Sequence, residues 1–260
     1  MIRALYSAAT GMVSQQTNLD VIANNLANVN TTGFKKSKIE FQDLIYQNSK
    51  LAGADIGGGN QIPTGIQIGH GSRVMSTSKD FSAGEVTHTG GQLDVAIDGD
   101  GFFQVTLVDG TNAYTRDGAF KMDSTGRLVT SDGLQVQPSV TIPAATSEIS
   151  IAPTGQLSVR TASGIQTLGT FSLTRFPNPG GLESIGHNLY KETPSSGAGS
   201  QAAPGTDGMG GLAQNYLEMS NVKVVEEMVN MIVAQRAYEV NSKAVQTADE
   251  MLQMSNSLKR

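Results

Sequence analysis

The chain has 260 residues, 30 of them glycine, with no cysteine, no tryptophan and a net charge of −5. Without cysteine there is no disulfide, no thiolate zinc site and no thiol nucleophile, and a net negative chain offers no basic field to hold nucleic acid or an anionic membrane. Charged residues make up only 16% and apolar residues 38%, against roughly 25% and 45–50% in an average domain, which fits neither a highly charged disordered tail nor a compact apolar enzyme.

At the N-terminus the first ten residues are weakly apolar, but Ser7, Thr10 and Gln15-Gln16 interrupt them. They do not make the continuous apolar stretch of a Sec signal, and no window approaches the roughly 18 apolar residues of a membrane span. The expectation is a soluble chain that stays inside the cell or is exported without a cleaved Sec signal. Leu5, Met12, Leu19 and Leu26 lie seven apart, with Ala8, Ile22 and Val29 interleaved and Gln15 the one polar member. This is a helix stripe, predicted to end near Asn30-Thr31-Thr32-Gly33, where Gly33 can take the left-handed cap conformation. Gln47 to Gly71 is Gly-rich, with Gly57-Gly58-Gly59 at its centre, and reads as a loop.

From Val74 to about Phe176 the period changes to two. Leu93-Asp94-Val95-Ala96-Ile97 and Phe103-Gln104-Val105-Thr106-Leu107 alternate, and shorter runs recur at Leu134–Val136, Ile149–Ile151, Leu157–Val159 and Phe171–Leu173. Asp109-Gly110, Asp117-Gly118, Ser124-Thr125-Gly126, Asp132-Gly133 and Pro153-Thr154-Gly155 punctuate them. Short alternating runs between such turns predict antiparallel hairpins, and together an all-β sandwich or irregular barrel. Thr193 to Gly211, rich in Ser, Gly, Ala and Pro, reads as a second loop or linker.

The C-terminal stripe is stronger. Val224, Met231, Tyr238, Val245 and Leu252 are seven apart, Ala234 and Ala248 widen the row, and Asn241 interrupts it. Asn221 is a candidate N-cap, with Glu226 and Glu227 where the helix dipole favours anions. No Gly or Pro occurs between Asn221 and Ser257, so the predicted helix is about 55 Å long. Val222, Val225, Val229, Ile232 and Val233 lie largely off the main row, and a helix apolar around its circumference belongs inside something larger.

The fold class expected is therefore α+β: long N- and C-terminal helices forming a coiled-coil-like layer, with a central all-β domain. The segments are residues 1–33 (assembly helix), 34–73 (connection with the Gly-rich insertion), 74–192 (β domain), 193–220 (return linker) and 221–260 (second assembly helix). The expected assembly interface is Leu5, Met12, Leu19, Ile22, Leu26, Val224, Met231, Tyr238, Val245 and Leu252.

No enzyme chemistry is legible. His70, His88 and His187 stand in no metal-binding spacing. Asp98-Gly99-Asp100-Gly101 opens like a calcium loop but fails at Phe102 and Asp109. Neither a phosphate-binding loop nor a nucleophile elbow is present. No catalytic, metal or cofactor residue is expected, and no cofactor. A hydrolase using Asp94, Asp98 or Asp100 is the enzyme alternative, and a secreted β-domain binding module the non-enzyme one.

Three longer motifs carry a resemblance. Ser7–Met12 with Ala23–Lys35 is similar to the N-terminal signature of bacterial flagellar rod and hook proteins. Glu227–Ile232, Gln235–Glu239 and Asn241–Lys243 resemble that family's C-terminal signature, and Val95–Phe103 with Tyr114–Phe120 its shared β domain. The length, the run Gly186–Thr193 and the Gly-rich segment 47–63 resemble its distal-rod members most; another rod or hook member of similar size is the alternative. The resemblance implies a structural, non-enzymatic subunit of the basal body. It would pass through the flagellar export apparatus and assemble with itself into a helical tube across the periplasm, around the export channel. It implies other rod proteins and hook or hook-junction subunits as neighbours, with peptidoglycan- and outer-membrane-ring proteins around the tube.

Overall fold

The computed structural model describes residues 2–50, 53, 63–144, 146–162 and 164–257. The fold class is α+β, with two long helices and a chain that is otherwise mainly β. It divides into two compact units, one of residues 1–26, 37–78 and 224–260 and one of residues 27–36 and 79–223.

The first unit holds both helices. Helix α1 spans Ile2–Ala27 and α2 spans Val224–Ser257. They meet where Gly11 faces Asn241: a Cβ on Gly11 would stand 2.9 Å from the Asn241 amide nitrogen, so glycine permits the approach. Four strands complete this unit: β1 (Ser37–Asp43), β2 (Tyr46–Lys50), β3 (Ile66–Gly69) and β4 (Ser72–Lys79). β1 pairs with β4, and β2 with β3 antiparallel in the register Tyr46↔Gly69. Asn25 clips α1 to β1 in both directions: its Nδ2 donates to the Ser37 carbonyl and its Oδ1 accepts from the Ser37 amide, each at 2.9 Å. Gly71, at φ +110°, turns β3 into β4 against Thr10 of α1, whose hydroxyl leaves no room for a side chain there.

The sequence reads Gln47–Gly71 as a loop, yet its ends are strands. β2 is exposed throughout and β3 nearly so, so neither carries the alternation that marks a half-buried strand. The central glycines Gly57–Gly59 lie outside the described residues.

The second unit is β throughout. Its strands are β5 (Val86–His88), β6 (Val95–Asp98), β7 (Phe102–Thr106), β8 (Asn112–Thr115), β9 (Lys121–Met122), β10 (Leu128–Val129), β11 (Gln135–Val136), β12 (Glu148–Ile151), β13 (Gln156–Thr161), β14 (Gly164–Thr170), β15 (Leu173–Arg175), β16 (Glu183–Gly186), β17 (Leu189–Lys191), β18 (Ser200–Ala202), β19 (Gly211–Gln214) and β20 (Tyr216–Glu218). The largest sheet runs β16-β17-β8-β7-β11-β10-β9, with β15 pairing both β7 and β18. β12-β13-β14 form a meander, and two short ribbons, β6–β19 and β5–β20, join residues far apart in the chain. Gly110, Gly126, Gly133 and Gly155 take positive φ, as the predicted turns require. Gly118 does not; it is needed because a Cβ there would land on the Val95 carbonyl oxygen.

Strand β7 lies between two apolar clusters. Phe103 and Val105 point into the main core with Val95, Leu128, Leu157 and Phe171. Phe102, one residue out of phase, joins Tyr114, Phe176, Leu182 and Tyr190 on the other side, as the period of two demands. Phe103 meets Phe120 edge-on at 5.0 Å between centroids.

Residues 193–220 hold more order than their composition implies. β18, β19 and β20 have only three or four residues each, too few to show a period. Asn221 also departs from the expected cap. α2 starts at Val224, and the Asn221 side chain accepts from the Lys36 amide at 2.8 Å and donates to the Asp80 carbonyl at 2.9 Å.

The Phe103→Ala substitution is expected to destabilise the β unit by about 3–5 kcal/mol, read as a lower urea midpoint by circular dichroism. Val108→Ala, at a residue 93% exposed, is expected to stay within about 0.5 kcal/mol.

Candidate assembly surface and buried charge junction

Of the row expected at the assembly interface, Ile22 is buried, Leu5, Met12, Leu19, Leu26, Met231, Val245 and Leu252 are half-buried, and Val224 and Tyr238 are exposed. On α2 the buried or half-buried positions are Glu227, Met231, Ala234, Ala237, Asn241, Ser242, Val245, Ala248 and Leu252, spaced mainly by three and four, a stripe along one helix face.

A second apolar face was only partly legible. Val225 is 76% exposed, Ile232 58% and Val233 63%, with Met228, Val229 and Val240 also exposed. At ~100° per residue, Val225, Val229 and Ile232 lie roughly opposite Met231, Ala234 and Val245. The outer face is apolar only over the first half of α2; the Arg236–Glu239 ion pair at 2.8 Å interrupts it, and Lys243, Thr247 and Glu250 continue it.

Within the β unit lies a junction that the sequence reading missed. The Lys35 ammonium, fully buried, donates to Glu218 Oε1 at 2.6 Å and to the Ser82 carbonyl at 2.7 Å. Glu218 Oε1 also accepts from the Gly84 amide at 2.9 Å. On its other oxygen, Glu218 meets Arg116 at 3.4 Å, and Arg116 donates to the Gly99 carbonyl at 2.8 Å. The Arg116 guanidinium lies over the Phe102 ring at 5.4 Å. Burial pushes the Lys35 ammonium and the Arg116 guanidinium down from their ordinary pKa values, and the Glu218 carboxylate opposes that in both.

The backbone makes the same convergence. The Gly33 amide donates to the Glu218 carbonyl at 2.8 Å. Gly33 has φ +66°, and a Cβ there would stand 2.5 Å from the Asp117 amide nitrogen, so glycine is required twice over. Asn188 Nδ2 donates to the Thr32 carbonyl, and the Thr115 hydroxyl to the Asn188 carbonyl, each at 2.9 Å. Lys35 and Glu218 are 183 residues apart, which no local pattern connects. The available signal was a cation in each of two of the quoted motifs, Lys35 and Arg116.

Each cation of the junction faces the Glu218 carboxylate, while Arg116 Nε is buried without a hydrogen-bond partner. Among the described residues no group of three or more His, Asp or Glu side chains could hold a metal. The candidate carboxylates diverge: Asp94 accepts from the Thr89 hydroxyl at 2.5 Å, and Asp100 pairs with Arg175 at 3.6 Å. The histidines are likewise separate, His70 beside Tyr6, His88 beside Tyr216 and His187 beside Asp132. No helix among the described residues is long and apolar enough to cross a membrane.

Replacing Glu218 by Gln leaves two buried cations without their counter-ion and is expected to cost about 3–5 kcal/mol, measured by chemical denaturation. Tyr190, 2% exposed, gives a pH signature. Burial raises its phenol to about 12, above the ordinary value near 10. The folded state therefore holds a proton that the unfolded chain has lost. This contribution is complete below pH 10 and falls away as the pH rises towards 12, by on the order of 2–3 kcal/mol. Denaturation of the wild type at pH 9 and 11 is expected to show about half of this loss, roughly 1.4 kcal/mol, and Tyr190→Phe to lack that part of it.

Comparison with known proteins matches three segments of the chain. The model described as flagella basal body rod protein matches residues 5–35, that of the flagellar hook protein FlgE/F/G D1 domain residues 96–159, and that of the flagellar basal body rod FlgEFG protein C-terminal residues 213–258. Each matched segment supplies one charge to the junction: Lys35, Arg116 and Glu218. The flagellar basal-body rod protein FlgG of Borreliella burgdorferi is 52% identical over the whole of both chains. That of Bacillus subtilis is 46% identical, again over the whole of both. The flagellar hook protein FlgE of Helicobacter mustelae is 45% identical over 53% of this chain but only 30% of its own, so the likeness to the hook is partial. Full-length similarity at this level places the chain: it belongs to the FlgG family of flagellar basal-body rod proteins.

Proposed function

We propose that this chain is the structural subunit of the distal rod, non-enzymatic, polymerising through its terminal helices into a helical tube that surrounds the export channel and carries motor torque to the hook. Its neighbours are further copies of itself, other rod proteins and hook or hook-junction subunits. Peptidoglycan- and outer-membrane-ring proteins enclose the tube where it crosses the periplasm, and subunits reach it through the flagellar export apparatus. α1 and α2 supply the coiled-coil-like inner layer.

The observation that carries the reading is that α2 has two apolar faces and one chain covers only one of them. The seven-apart row, Leu5, Met12, Leu19, Ile22 and Leu26 with Val224, Met231, Tyr238, Val245 and Leu252, was expected between copies. Half-burial of most of that row in a single chain favours a seam inside the subunit. The opposite face, Val225, Val229, Ile232 and Val233, is then the contact between copies. Leaving that much apolar surface in water is unfavourable at about 25 cal/mol per Å², and polymerisation removes it.

The two faces separate in one experiment. Val229→Asp, at an exposed position, is expected to leave the monomer's melting within the range of a surface change, about 0.5 kcal/mol. It is also expected to abolish polymer seen by electron microscopy, because a charge would be buried unpaired. Val245→Asp is expected to weaken monomer and polymer together. Normal rods from Val229→Asp would remove the outer face from the assembly.

A further inference from the structure

The first unit carries a second unpartnered surface. An open groove of about 580 Å³ is lined by Tyr6 of α1, Gln42 and Asp43 of β1, Leu44 and Ile45, and His70 and Arg73. Ile45 is 81% exposed and Tyr6 55%. The charge in the groove is defined. Asp43 is engaged by the Tyr46 hydroxyl, whereas Arg73 is held only by a neutral group, donating from Nε and NH2 to Gln42 Oε1 at 3.3 and 2.9 Å. Among the described residues Arg73 has no ion-pair partner. Its guanidinium is thus oriented at the lip of a mixed groove, whose apolar wall is Tyr6, Leu44 and Ile45, without an ion-pair partner.

The outer face of α2 has the complementary character. Val225, Val229 and Val233 project from it, and Glu226, exposed, lies along the edge beside Val229 and Val233 by helical spacing. Glu226 too has no ion-pair partner among the described residues. An apolar ridge edged by a carboxylate fits a groove that offers an apolar wall of Tyr6, Leu44 and Ile45 and a guanidinium at its lip.

One chain cannot bring the two together. α1 extends 16 residues beyond Gly11 to Ala27, and Asn241 lies 17 residues beyond Val224; Lys36 and Asn221, just outside the two helices, are hydrogen-bonded. The helices therefore run antiparallel from their crossing at Gly11 and Asn241. Val229 lies about 18 Å from that crossing in one direction and Tyr6 about 7 Å in the other, at 1.5 Å per residue. About 25 Å separates ridge and groove within a subunit.

We propose that the ridge Val225–Val233 of one copy seats in the Tyr6–Ile45–Arg73 groove of the next, with Glu226 paired to Arg73. Two different patches in head-to-tail contact make a heterologous interface, which propagates as an open filament unless its rotation closes a ring. This rests on the polymerising role proposed above and names the surface that performs it.

The absence of cysteine makes the test clean. Full-length chain carrying Ile45→Cys with Val229→Cys is polymerised and treated with a mild oxidant. The expected product is a ladder of dimers, trimers and longer chains on a non-reducing gel, absent from unpolymerised protein. Dimers from Val229→Cys alone, or polymer that yields no ladder, would overturn the inference and leave the rod reading standing. A wild-type chain that never polymerises would overturn both. Should the cysteines block assembly, the charge exchange decides. Arg73→Glu and Glu226→Arg are each expected to reduce polymer about tenfold or more, and the double variant to restore it. Failure of the double variant to restore polymer, with both singles impaired, overturns the pairing.

Discussion

The Glu218 carboxylate is the constraint on which the fold depends. It is 2% exposed and is shared by two buried cations and a backbone amide. Bringing those charges out of water costs several kcal/mol per ion before their attraction returns it, so the junction is not an economical source of stability. Its consequence is geometric. Lys35 ends the segment that enters the β unit, Glu218 begins the one that leaves it, and Arg116 belongs to its middle. Omitting Glu218 would leave both cations buried and unpaired, whereas omitting either cation would leave the other paired with Glu218. The Lys35–Glu218 pair thus ties the two boundaries of the β unit to each other, a pairing that hydrophobic contact, which is non-directional, could not impose.

Within the helical unit, α1 and α2 meet where Gly11 faces Asn241. The inward stripe of α2 then has a partner in the same chain. The fully buried apolar residues of the helices are mostly small, Ala8 on α1 and Ala234 and Ala248 on α2, with Ile22 the larger one. Small side chains permit close backbones, but they bury little area. The outward face, with Val225, Val229 and Ile232, holds the larger apolar side chains and leaves them in solvent. A monomer optimised for its own stability would have the reverse distribution.

What was legible in the sequence follows from what each element buries. The helices were plain because one face repeats every seven residues over many turns. β6, β7, β12 and β13 were plain because they alternate against a core, and the turn after β7 because Asp109-Gly110 needs positive φ at the glycine. β2 and β3 were not, since strands exposed on both faces leave no alternation. β18 to β20 were too short for a period, and their partners lie far away: Leu217 pairs with Thr87, and Leu212 with Ile97. The charge junction was hidden for the same reason. The resemblance identified the motifs around Lys35 and Arg116 as a signature, but not that they meet on Glu218, since contact at that separation is a property of the fold alone. Most of the seven-apart row is half-buried in a single chain, with Val224 and Tyr238 exposed, so a periodic row points to a packed face without saying which chain packs on it.

The uneven cores of the two units have a further implication. The β unit encloses large side chains completely, among them Phe103, Phe171, Leu157 and Leu173, enough to hold a domain on its own. In the helical unit the buried apolar residues of α1 are Ala8 and Ile22 and those of α2 are Ala234 and Ala248. Ordering a residue costs roughly 1–2 kcal/mol of backbone entropy, and burying a few alanines does little to offset that over helices of 26 and 34 residues. Helical hydrogen bonding contributes, but helices in proteins draw most of their stability from packing an apolar face. The outer side of α2 is exposed in the chain, and in the polymer proposed above a neighbouring copy would pack on it. Under that proposal mass action links helix order to polymerisation, since whatever binds the ordered state stabilises it. A subunit assembling in that way would keep its β unit folded when free and gain the stability of its helical unit at the growing end, where the neighbour's surface adds to its core.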